Sequence, residues 1–179
     1  MDMRGLAHFI RDIRKVTANK DAEQQRIDEE LGKIRSKFKD SNGLSTYDRR
    51  KYVCKLMFVS MLGYSVTFGH MEGVQLLAMS GPAEKLIGYL SLTVFLHEGH
   101  ELMTLTNHVV TMDLLSGKDL NTTLALTAVA NVGGRDYCET MGEHVRNLIL
   151  KTGNVQLRKK GLLPQEGIVD VLANLEEVP

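Results

Sequence analysis

Three apolar helix segments recur along this chain at nearly equal steps, and that spacing constrains the fold more than any other feature. "IGYLSLTVFL" begins at Ile87, "TTLALTAVANVG" at Thr122 and "KGLL" at Lys160; setting Gly88 against Thr123 and Gly161 gives steps of 35 and 38 residues. Each reads as the start of the same apolar helix, preceded by a short loop at "SGPAE", "SGKDLN" and "KTGN". Helical pairs recurring near that period mark a HEAT- or armadillo-type solenoid, in which each hairpin buries its apolar face only by stacking on the next. The rest of the chain agrees. Leu6, Phe9, Ile10 and Ile13 fall at helical spacing, as do Ile27, Leu31, Ile34 and Phe38, and then Val53, Leu56, Met57, Ser60, Met61 and Tyr64. The three prolines, at 82, 164 and 179, leave residues 1–81 without a breaker, and no stretch alternates as a half-buried strand would. The sequence therefore predicts an all-α fold, a right-handed α-solenoid of HEAT/armadillo-like hairpins. After "RKKGLL", Pro164 and Gly167 interrupt the helix that the repeat requires. A truncated array is expected, with a helical-repeat domain over 1–163 and a divergent tail over 164–179.

Charge is distributed less evenly than the net value of zero suggests. Residues 1–55 hold 14 Lys and Arg against 9 Asp and Glu, and residues 56–179 hold 8 against 13. Residues 33–55 alone carry 8 cations against 2 acids. Such a block points to an anionic partner: phospholipid headgroups, nucleic acid or an acidic peptide. The two cysteines, Cys54 and Cys138, have no metal or redox spacing and read as reduced core thiols. No apolar run approaches the roughly 18 residues that span a bilayer. "MDMRGLAHFIRDIRK" has no signal-peptide h-region or cleavage site, so an intracellular, soluble chain is expected.

Within the block, "STYDRRKYVCKL" reads as a helix start, with Ser45 as the cap and Asp48 answering three residues on. Arg49, Arg50, Lys51 and Lys55 then crowd the first turns, where the helix dipole already places partial positive charge. Lys51 and Lys55 are also neighbours on one face and repel each other. A solvated surface is the plain account of such a run. Three features favour a localised anion site instead. Backbone amides at a helix start bind anions themselves, Tyr47 and Tyr52 offer hydroxyls, and Lys37 and Lys39 end the preceding helix close by. A phosphorylated headgroup suits such a pocket better than nucleic acid, which favours a long stripe with stacking aromatics.

Other constellations carry less. "HEGHE" at 97–101 sets its histidines three apart around a glycine, not four apart on one helical face as a zincin helix requires, although His70 and His108 could be brought in by folding. "NVGGRD" at 131–136 has the glycines of a phosphate loop without the strand before it or the Lys-Ser/Thr after it, and a helix C-cap at Gly133 or Gly134 explains it better. An acid beside Cys138 raises that thiol's pKa and makes it a poor nucleophile. No catalytic constellation emerges; neither an enzyme nor a cofactor is expected.

"MRGLAHFIRDIR", "RIDEELGKIRSKFK", "KYVCKLMFVSMLGY", "FGHMEGVQLLA", "IGYLSLTVFL" and "ANVGGRD", in this order from about Met3 to Lys160, resemble the N-terminal region of the large adaptins. They are most similar to the alpha-adaptins of the plasma-membrane clathrin adaptor complex. The resemblance implies an α-solenoid trunk that takes part in cargo selection during clathrin-mediated endocytosis, on the cytoplasmic face of the plasma membrane at coated pits. It implies partnership with the sigma, beta and mu subunits, and binding of phosphatidylinositol 4,5-bisphosphate. The matching strings place the headgroup site at Arg4, Gly5, Lys37, Tyr47 and the run Lys51, Tyr52, Val53, Cys54 and Lys55. Arg49 and Arg50 stand where the family pattern has lysines, and Asp48 is an added acid. Arg14 matches the arginine that helps the sigma subunit hold an acidic dileucine signal. The alternative is a helical-repeat module that pairs with adaptor subunits without binding lipid.

Overall fold

The computed structural model describes residues 3–40, 43–97, 99–132 and 134–162, without the side chains of 135 and 136. Among the described residues all regular secondary structure is helical: α1 Arg4–Val16, α2 Lys20–Lys39, α3 Thr46–Met61, α4 His70–Ala78, α5 Pro82–Phe95, α6 Met103–Leu114, α7 Asp119–Val132, α8 Arg135–Lys151 and α9 Val155–Gly161. Local chemistry sets several of these boundaries. The Asn19 side chain accepts from the amides of Asp21 and Ala22 to start α2, and Asn154 does the same for α9 from Gln156 and Leu157. Pro82 stands at the first position of α5, where its missing amide has no intrahelical partner to lose.

The helices form two layers. α3, α5, α7 and α9 lie side by side in one, α4, α6 and α8 in the other, and α1 packs across α2 and α3. First residues of the first layer fall at 46, 82, 119 and 155, steps of 36, 37 and 36. The expected solenoid period is therefore present, and it reaches back to α3, which the sequence repeat missed because α3 opens on cations. The aligned positions are not helix starts, however. Gly88 is the seventh residue of α5, Thr123 the fifth of α7 and Gly161 the seventh of α9. At both glycines the helix crosses its hairpin partner. A Cβ on Gly88 would lie 2.3 Å from the Leu77 backbone N of α4, and one on Gly161 would lie 2.6 Å from Ile149 Cγ1 of α8. The recurring glycine thus marks the crossing point, not the start.

The core runs along the stack. Phe9, Ile13, Ile27 and Val59 close the basic end; Val53, Met57, Leu76 and Ile87 join α3 to the next hairpin; a larger cluster from Leu77 to Leu157 fills the remainder. The predicted stripe of α3 leaves the core in its last turn, where Met61 is exposed. One polar knot lies inside. Asp113 of α6 accepts from Lys85 Nζ (2.6 Å) and the Tyr89 hydroxyl (2.8 Å) of α5 and from Asn121 Nδ2 (3.2 Å) of α7, and Lys85 also donates to the Leu77 carbonyl (3.2 Å). Burial, then Asp113, pushes the Tyr89 hydroxyl far above its ordinary pKa, so it stays a neutral donor.

Two sequence expectations fall at loops. Gly134 stands at the N-cap of α8 with φ −91°, so it starts that helix and is not a left-handed cap ending α7; Gly133 lies outside the described residues. So do Ser41 and Asn42 of "SNG" at 41–43, which the sequence predicts as a helix stop between two helices, and the 163/164 boundary with its tail.

Candidate functional site

The cationic residues converge where α1 begins, α2 ends and α3 begins. Ser45 caps α3 as its sequence predicts: its Oγ accepts from the Asp48 amide at 3.0 Å and donates to Asp48 Oδ2 at 2.7 Å. Asp48 Oδ1 takes Lys51 Nζ at 2.5 Å. Hydrogen bonds from Lys51 and then Ser45 hold the Asp48 carboxyl below its ordinary range. Burial is the largest single influence and would lower the Lys51 pKa, but the Asp48 hydrogen bond together with the charge interactions of Tyr52, Asp48 and Tyr47 outweighs it, so the pKa is raised and the ammonium stays charged. That ammonium lies 4.5 Å from the Tyr52 ring centroid and 5.5 Å from that of Tyr47. The Lys51 stem crosses α1 at Gly5, where a Cβ would come within 3.1 Å of its Cδ. Lys37, Asp40, Gly43, Leu44, Asp48 and Tyr52 line a cleft of about 120 Å³ beside it. Arg4 and Lys37 are exposed, Tyr47 is 39% exposed, and Arg49 is half-buried with its Nε shielded and without a hydrogen-bond partner.

The other nominated residues face elsewhere. Arg50 pairs with Glu84 of α5 at 3.0 Å, with both side chains largely buried. Lys55 turns into the core, 2.5 Å from Glu30 of α2 and over the Phe9 ring. Burial would raise the Glu30 pKa, but the bonds from Lys55 and Arg26 outweigh it and keep the carboxylate ionised. Val53 is fully buried in the α3–α5 core. Cys54 is half-buried, and burial pushes its thiol up to about 11. Arg14 is exposed in the last turn of α1, about 15 Å along the helix from Arg4 at 1.5 Å per residue.

Pairing with acids resolves the crowding of cations at the start of α3. Arg50, Lys51 and Lys55 meet Glu84, Asp48 and Glu30 respectively. Glu30 and Glu84 are distant in sequence, so the charge count of the block gave no sign of them. Only Asp48, at i−3 from Lys51, was legible as a local partner.

Folding also brings His70 to the "HEGHE" loop, its ring 5.6 Å from that of His100, which lies 5.7 Å from that of His97. His100 Nδ1 accepts the Leu102 amide and His70 Nε2 lies 3.1 Å from the Val66 carbonyl. Among the described residues no three His, Cys, Asp or Glu side chains are arranged to share a metal ion.

The family profile described as "Adaptin N terminal region" matches residues 23–165. The chain belongs to the adaptin N-terminal family. This adaptin region is 46% identical over 163 residues to the AP-2 complex subunit alpha of Schizosaccharomyces pombe, covering 90% of this chain and 18% of that protein. It is 41% identical over 162 residues to the AP-2 complex subunit alpha-1 of Arabidopsis thaliana, covering 90% and 16%. Against the AP-1 complex subunit gamma-1 of Arabidopsis thaliana identity is 33% over 167 residues, covering 92% and 19%. The adaptin chain thus spans less than a fifth of the length of these relatives and is more similar to the AP-2 alpha subunits than to the gamma subunit.

Proposed function

We propose that this chain is the N-terminal trunk segment of a clathrin-adaptor large subunit and binds phosphoinositide headgroups in endocytosis. The observation that carries this reading is the 46% identity to an AP-2 alpha subunit across nine-tenths of the chain. The cluster of Arg4, Lys37, Tyr47, Arg49, Lys51 and Tyr52 supports it with cations and hydroxyls around one helix start. Gly5 lets Lys51 reach that cluster. Val53, Cys54 and Lys55 belong to the reading as the helical turn that holds Lys51 and Tyr52 in place, and Arg50 as the tie to α5. Recognition is electrostatic, so it weakens with salt, and no catalysis or cofactor is involved. The location proposed is the cytoplasmic face of the plasma membrane at coated pits, reached peripherally; no described helix is long and apolar enough to cross a membrane. Arg14, outside the headgroup cluster, is proposed to help hold an acidic dileucine signal together with a sigma subunit, within a complex that also holds beta and mu subunits.

The test is flotation with vesicles carrying phosphatidylinositol 4,5-bisphosphate against phosphatidylserine vesicles of matched charge. Selective flotation is expected, with loss in the Lys37→Ala/Arg49→Ala/Lys51→Ala triple variant. Arg50 is left intact because its loss would loosen α3 from α5. Equal flotation on both vesicles by a folded chain refutes headgroup recognition.

A second reading, a subunit-binding module without lipid contact, is favoured by exposed apolar residues on α5 and α7. Leu86 and Leu90 on α5 are 45% and 48% exposed, Leu120 on α7 is 47% exposed, and Leu90 and Leu124 line one shallow cleft. Capture of a sigma subunit that survives the triple variant but fails in Leu86→Ser/Leu90→Ser would support it.

A further inference from the structure

Asp48 stands within the cationic cluster, in contact with the ammonium that the cluster presents. One carboxylate oxygen holds Lys51 at 2.5 Å and the other accepts the Ser45 hydroxyl at 2.7 Å. It shares its cleft with Lys37. The Asp48 side chain is 37% exposed and that of Lys51 17%, so solvent reaches the pair from the Asp48 side, and the carboxylate stays charged below neutral pH. The contrast with Lys55 is informative. Lys55–Glu30 is enclosed on every side, with 9% and 8% exposure, and serves the core. Lys51–Asp48 is built from one turn of one helix at its exposed end.

We propose that Asp48 is an internal counter-anion that occupies Lys51 until a multiply phosphorylated headgroup displaces it. The proposal rests on the headgroup reading of this cluster and adds its control. An arriving phosphate must take over the Lys51 ammonium while Asp48, anchored to the Ser45 hydroxyl, stays beside it as a like charge. A ligand with one phosphate exchanges one ion pair for another and gains little. A ligand with two or more keeps its contact to Lys37, which lines the same cleft as Asp48, while it competes for Lys51, so the acid filters out singly charged headgroups. Displacement leaves the α3 cap standing, because Ser45 Oγ accepts the Asp48 amide independently of the carboxylate charge.

The test compares Asp48→Asn with Asp40→Asn. Asp40 lines the same cleft and its neutralisation changes net charge equally, but no ion pair joins it to Lys51. Affinity is read on vesicles carrying phosphatidylinositol 4,5-bisphosphate or phosphatidylinositol 4-phosphate, and by calorimetry with soluble inositol 1,4,5-trisphosphate, which separates a membrane headgroup from a free inositol phosphate. Asp48→Asn is expected to bind about fivefold to tenfold tighter, the size of one surface ion pair plus one like-charge contact. The gain should be larger on the monophosphate, so that discrimination between the two lipids narrows, and the melting temperature should fall slightly because the fold holds the Asp48 carboxylate below its ordinary range. Asp40→Asn should change affinity less than about twofold, since its charge is screened by solvent. If Lys51→Ala abolishes binding but the two Asn variants are indistinguishable, the counter-anion role is overturned and the headgroup site stands. If neither wild type nor Asp48→Asn binds any of the three ligands, both fall.

Discussion

Replacing Gly88 with alanine sets two physical effects of similar size against each other, and the structure decides the sign. In a helix interior alanine is favoured over glycine by about 1 kcal/mol. At Gly88, however, the new Cβ would lie 2.3 Å from Leu77 N, 2.5 Å from Leu77 Cα and 2.9 Å from Leu76 C. These are backbone atoms of α4 and cannot rotate away as a side chain would. Ordinary contact needs 3.4 Å or more, so α4 and α5 must part by roughly 1 Å along the line of contact. Overpacking of this kind costs about 1–3 kcal/mol, and an unyielding backbone neighbour puts this site at the upper end. After the propensity gain the net loss is about 1–2 kcal/mol, which for a domain of this size lowers the melting temperature by roughly 2–8 °C. Gly32 supplies the control. It sits in the middle of α2, exposed, with no atom within 4 Å of an added Cβ, so Gly32→Ala should raise the melting temperature by about 2–4 °C through propensity alone. Thermal denaturation followed by far-ultraviolet circular dichroism reads both. If Gly88→Ala stabilises the chain as Gly32→Ala does, the two helices do not meet backbone to backbone and the crossing-point account of the repeat is wrong.

Glu30→Gln should cost about 3 kcal/mol in urea denaturation, because it leaves the Lys55 ammonium buried against a neutral group. The folded carboxyl of Glu30 lies below its unfolded value, so its stabilisation is complete above about pH 5 and is lost as pH falls through the folded pKa; the variant should lack that part of the acid limb, and an unchanged acid limb would refute the pairing. Asp113→Asn should lose about 3–5 kcal/mol by stranding Lys85, and adding Lys85→Met should return a good part of it; additive losses in the double-mutant cycle would show that the two do not act as a pair. Cys54, with its thiol pushed up to about 11, should react with Ellman's reagent at pH 8 far more slowly in the native chain than in urea. Equal rates would mean that the α3 site is open.

The solenoid was legible because its signal is additive: each apolar stripe and each loop repeats the same message at the same period. Register within the repeat was not, since a glycine tolerated at a helix start and a glycine required at a crossing look alike until the partner helix is in place. Gly88, set against the α4 backbone, is of the second kind, whereas Gly161 meets the Ile149 side chain of α8. The basic site was half legible. Ser45 and Asp48 act within one turn of each other, so their capping could be read directly. The fates of Arg50 and Lys55 depend on Glu84 and Glu30, 34 and 25 residues away, and no local pattern ties these residues together. Charge density located the cluster, and tertiary pairing determined which of its cations face solvent.

The Asp113 knot has a consequence for shape. Apolar ridges alone permit one helix to slide past another by a turn, about 5.4 Å, with modest loss. Here such a slip would pull the Asp113 carboxylate away from Lys85 and Tyr89 on one side and from Asn121 on the other, leaving opposite charges stranded in apolar surroundings. The knot therefore works as an index pin: it lets the α4–α5 and α6–α7 hairpins seat in one notch and makes the neighbouring notch prohibitive. Arg50–Glu84 ties α3 to the same assembly. A single carboxylate thereby fixes the register of α4–α5 against α6–α7, and the Arg50–Glu84 pair carries that register to the basic end of the molecule.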